Sequence, residues 1–109
     1  MGTETRLHES YWPADTSEAL LEITLGGLLR RVASEVPDRI ALVDAVADPT
    51  KRRRWTYAEL LSKSEQTARA LLKRFSPGER IAVCAPNCPE WMWLQHGLSF
   101  AGLIMTPPR

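Results

Sequence analysis

The residues best suited to nucleophilic or metal chemistry in this sequence are two cysteines, Cys84 and Cys88, and two histidines, His8 and His96. A structural zinc site takes about four ligands at short, set spacings, and two cysteines with two distant histidines complete no such pattern. Cys88 falls where a helix is expected to begin, a position that lowers a thiol's pKa and favours the reactive thiolate. Without a base or cation placed beside it by sequence, the pair reads as two reduced, partly buried thiols. His96 has no serine or cysteine in a recognisable elbow, so no triad follows from its spacing. It reads as a packed or surface histidine.

The basic run at residues 51–54, Lys-Arg-Arg-Arg, could meet nucleic acid, but it reads better as a solvated hairpin tip. Four tryptophans could stack on bases; without a basic groove they read as core and interface side chains. Gly26-Gly27 and Pro77-Gly78 are not phosphate loops, because neither belongs to a glycine-rich run between a strand and a helix. The residues alone therefore assign no catalytic, cofactor-binding or metal-binding position.

The elements that would hold these groups are clearly punctuated. Residues 1–23 show no period and predict an irregular arm. Thr24 is placed to cap a helix whose apolar positions, Leu25, Leu28, Leu29, Val32, Ala33 and Val36, recur at three and four and predict one buried face. Gly26 and Gly27 weaken its first turn by roughly 1 kcal/mol each relative to alanine, and Pro37 stops it. Residues 40–46 read as a strand, returning through Arg54-Trp55 as a hairpin. Thr56 and Glu59 have the form of a capping box opening a helix that buries Leu60, Leu61, Ala68, Leu71, Leu72 and Phe75.

Pro77-Gly78 supplies a turn into a second strand at 81–85. Pro89 begins a helix running to about Ala101, with Cys88 or Asn87 as its cap and Gly102 at its end, and residues 103–106 form a further strand. Strand, helix and strand make a βαβ unit, which implies parallel pairing. The strand runs are apolar on consecutive residues, the mark of strands covered on both faces. The helix at 89–101 is apolar nearly all round, with Trp91 and Trp93 on roughly opposite sides. Elements of this kind need more cover than 24–109 provides.

The totals exclude several classes. A chain of 109 residues fits one small domain. With 44% hydrophobic and 25% charged residues, it can build a core and is not a disordered tail. A formal charge of +1 gives no general attraction to nucleic acid or an anionic membrane. The longest apolar stretch, 91–105, is broken by Gln95, His96 and Ser99 and falls short of the ~20 residues of a membrane span. Acidic residues in the first twenty positions argue against a secretory or mitochondrial leader, so a cytoplasmic location is expected.

The order of segments carries a resemblance. Ser10-Tyr11, Leu20-Leu21, Thr24-Leu25-Gly26 and Val36-Pro37-Asp38-Arg39 are followed by Arg54-Trp55-Thr56-Tyr57-Ala58-Glu59-Leu60. Then come Pro77-Gly78-Glu79-Arg80, Ala85-Pro86-Asn87, Pro89-Glu90-Trp91 and Ala101-Gly102. In this order and with these gaps the chain resembles the opening of AMP-forming acyl-CoA synthetases, and especially the fatty-acyl branch, from Ser10 to Met105. After Ala-Gly, similar members lead into an Asn-Pro turn where this sequence has Thr106-Pro107.

The resemblance implies an α/β fold: an incomplete N-terminal portion of the large adenylate-forming domain, with helices on a partial, largely parallel sheet and a β-hairpin near 40–56. It divides the chain into the arm, 1–23, and part of an N-terminal subdomain, 24–109. The full-length family is an acid–thiol ligase that uses ATP, Mg²⁺ and coenzyme A to convert a carboxylic acid to its acyl-CoA, with AMP and pyrophosphate as products. Its phosphate loop and catalytic lysine have no counterpart in these residues. The expectation is a fragment, inactive alone and binding none of these cofactors. Its partner would be the remainder of the synthetase, or another chain covering the helix at 89–101. One half of a split synthetase and a non-catalytic interaction module are the alternatives.

Overall fold

The computed structural model describes residues 8–107. Residues 1–7 of the expected arm and 108–109 of the tail lie outside them, and residues 8–24 carry no helix or strand. Three helices and four short strands follow: α1 (Leu25–Glu35), β1 (Ile40–Val43), β2 (Arg54–Thr56), α2 (Tyr57–Leu72), β3 (Arg80–Ala82), α3 (Pro89–Phe100) and β4 (Ile104–Thr106). A 3-10 turn, Pro49–Lys51, lies between β1 and β2.

Helix α1 begins as its sequence demands: the Gly27 backbone N–H donates to the Thr24 hydroxyl at 3.0 Å. Its buried face is not the apolar stripe. Gly26, Leu29 and Ala33 are buried, whereas Leu25 and Leu28 are 58% and 37% exposed. At about 100° per residue the packed face is turned by roughly a fifth of a circle from the centre of the stripe. The cause is close packing on α3: a Cβ on Gly26 would lie 2.6 Å from Phe100 Cε1, so only glycine admits this approach. The Arg30 guanidinium then sits 4.4 Å from the Phe100 ring centroid.

Strands β1 and β2 form the expected antiparallel hairpin, pairing Ile40 with Thr56, Leu42 with Trp55 and Val43 with Arg54 across a bulge. The strand expected over 40–46 stops at Val43. Asp44 is buried beside the hairpin, and its N–H still bonds the Arg53 carbonyl at 2.9 Å. Beyond it the chain turns away, and Asp48 takes the Thr50 N–H at 3.0 Å to start the 3-10 turn.

Helix α2 opens on a complete capping box. Glu59 N–H donates to the Thr56 hydroxyl at 3.2 Å, and Thr56 N–H to the Glu59 carboxylate at 2.8 Å. Leu60, Ser64 and Ala68 are buried. Ser64 is tolerated there because its hydroxyl donates to the Leu60 carbonyl at 2.7 Å. Leu61 is only half-buried, and Leu72, expected inside, is 46% exposed because it lies at the helix end beyond the reach of α3.

A turn through Pro77 and Gly78, with φ +92° at the glycine, leads to β3. Strand β3 pairs in parallel with β4: Arg80 with Ile104, Ile81 with Met105 and Ala82 with Thr106. The strand expected over 81–85 is thus shorter. Val83 N–H makes a last bond to the Thr106 carbonyl at 3.2 Å. Helix α3 closes as its sequence predicts. Gly102 has φ +69°, Leu103 N–H bonds the Leu98 carbonyl at 2.9 Å and Gly102 N–H the Ser99 carbonyl at 3.2 Å. Those two bonds are the Schellman closure.

The core lies between α2, α3 and the inner face of the β3–β4 pair: Ala68, Val83, Leu98, Ala101 and Leu103. Its seam is the α2–α3 crossing, the most extensive contact in the chain. The hairpin joins through Trp55, whose ring meets Trp93 edge-on at 5.4 Å.

Candidate functional site

A concave surface lies where the hairpin meets the start of α3, because Trp55 and Trp93 bring β2 against that helix. It is an open cavity of about 440 Å³ with Val43, Asp44, Val46 and Arg53 on one wall and Cys88 and Glu90 on the other. Arg53 ties the walls together. Its Nε lies 2.8 Å from Asp44 Oδ2 and its Nη1 3.6 Å from Glu90 Oε1. Its guanidinium also stands 5.1 Å from the Trp55 ring. The hydrogen bond with Asp44 is the main cause holding the Arg53 pKa above its ordinary value.

One cation between two carboxylates leaves this cavity net negative. Two nitrogens of the Arg53 guanidinium, Nε and Nη1, face protein carboxylates. Cys88 lies half-buried on the wall as the N-cap residue of α3, and its side chain makes no capping hydrogen bond. Cys84 is exposed; both thiols are free. Among the described residues, no group of three or more His, Cys, Asp and Glu gathers as a metal site.

The other sequence candidates are dispersed. The run at 51–54 is exposed, but its side chains are more engaged than a solvated tip. Lys51 stands 3.8 Å from Asp48, Arg52 Nε donates to the Val46 carbonyl at 2.8 Å, and Arg53 bridges as above. His8 is exposed. His96 is half-buried on α3, with its Nδ1 enclosed and without a hydrogen-bond partner; burial pushes its pKa below the usual histidine value. Gly26 and Gly27 lie inside α1, and Gly78 in a turn. The Asp44–Arg53–Glu90 trio escapes sequence reasoning, since three charges 9 and 37 residues apart carry no local signal.

Among the described residues the cavity brings charged and apolar side chains together without the paired nucleophile and base that covalent chemistry needs. Helix α3 adds a second surface. Trp91, Met92, Trp93 and Leu94 are all half-buried, so the first turn of this helix presents apolar side chains in every direction. Among the described residues no helix is long and apolar enough to cross a membrane.

The sequence pattern of the family described as AMP-binding enzyme matches residues 29–108. An acyl-CoA ligase of Ajellomyces capsulatus, SID4, is 38% identical over 92 residues, covering 84% of this chain and 15% of the relative. A human medium-chain acyl-CoA ligase, the mitochondrial ACSF2, is 32% identical over 98 residues, covering 89% of this chain and 15% of the relative. Among solved structures, the fatty acyl CoA synthetase of Mycobacterium tuberculosis superposes with a TM-score of 0.64 at 26% identity, covering 79% of this chain and 16% of that one. The chain therefore spans about 15% of the length of the curated relatives it matches.

Proposed function

The chain belongs to the AMP-binding enzyme family, and on that premise we propose that it is the N-terminal portion of a fatty-acid–CoA ligase and does not perform the reaction by itself. The complete reaction joins a fatty acid to coenzyme A at the expense of ATP, through an acyl-adenylate and with release of pyrophosphate. ATP, Mg²⁺ and coenzyme A belong to that complete reaction, and these residues hold none of them alone. A cytoplasmic location is part of the proposal.

The observation that carries this reading is the β3–α3–β4 unit. It is a parallel strand pair with its connecting helix, in a segment that superposes on an acyl-CoA synthetase, and it lacks a glycine-rich phosphate loop at its strand-to-helix turn. That turn instead carries Cys84-Ala85-Pro86-Asn87-Cys88. Adenylation requires positive groups and Mg²⁺ to offset the charge that develops as pyrophosphate leaves, and the Arg53 guanidinium on the cavity wall faces Asp44 and Glu90.

The test is pyrophosphate release by the purified chain with ATP, Mg²⁺ and fatty acids of graded length. No release above the buffer rate is expected with any of them. Steady, acid-dependent release that follows the chain through successive purification steps would refute the reading.

A further inference from the structure

We draw no further inference here: the strongest candidate, the open cavity between the β1–β2 hairpin and the start of α3, walled by Asp44, Arg53, Cys88 and Glu90, belongs to the site already described, and nothing in the structure shows what would fill it.

Discussion

Gly97 of α3 lies so close to Thr67 of α2 that a Cβ on the glycine would stand 2.7 Å from Thr67 Cγ2 and 2.8 Å from Thr67 Cβ. The Ser64 carbonyl would be 3.1 Å away. This contact sets the distance between the two helices that enclose the core.

Gly97→Ala is expected to destabilise the chain by about 1–3 kcal/mol, the usual range for overpacking a close interface. Because Thr67 Cβ and the Ser64 carbonyl are fixed to the α2 backbone, trimming Thr67 to serine should not restore stability. Urea unfolding of the single and double variants followed by circular dichroism measures both.

The capping box at the start of α2 predicts that Thr56→Ala costs about 1 kcal/mol. Glu59→Gln should cost less, since an amide oxygen still accepts from the Thr56 N–H. Thermal melts of the two variants at matched concentration give the order.

Trp55 and Trp93 meet edge-on, an arrangement that contributes about 0.5–1.5 kcal/mol beyond burial. A double-mutant cycle with Trp55→Leu and Trp93→Leu should return a coupling energy in that range. A coupling near zero would mean the hairpin is held to α3 by other contacts, chiefly Arg53 with Glu90.

Burial holds the His96 pKa below its ordinary value of 6.5. In the unfolded chain the imidazole takes up a proton near that ordinary value, so below it the unfolded state binds more protons than the folded one. Stability contributed by neutral His96 is complete above pH 6.5 and is lost as pH falls toward the lowered folded value. His96→Gln should flatten the decline over that window in denaturant titrations at stepped pH. An unchanged slope would place the loss on other groups.

Much of the fold is legible locally. Thr24, Pro37, Thr56 with Glu59, Pro77-Gly78, Pro89 and Gly102 each fix a boundary through a cap, a barred hydrogen bond or a positive φ. Each operates within a few residues, which is why the helix limits and turns match their sequence signals. The strand limits match less well. Strand β1 stops at Val43 and β3 at Ala82, although Asp44 N–H still bonds the Arg53 carbonyl and Val83 N–H the Thr106 carbonyl. A strand's length depends on what lies beside it, and the sequence of one strand does not contain its neighbour.

The candidate site was less legible than the fold. By itself the sequence determined the order of elements, the parallel pairing implied by strand–helix–strand, and the family, because all three are written in short-range patterns and their succession. Tertiary structure alone decided which face of α1 is buried, how near α3 approaches α2, and that Arg53 spans Asp44 and Glu90. Those relationships join residues far apart in the chain, and they arise only when packing brings the side chains together at a distance no spacing rule encodes.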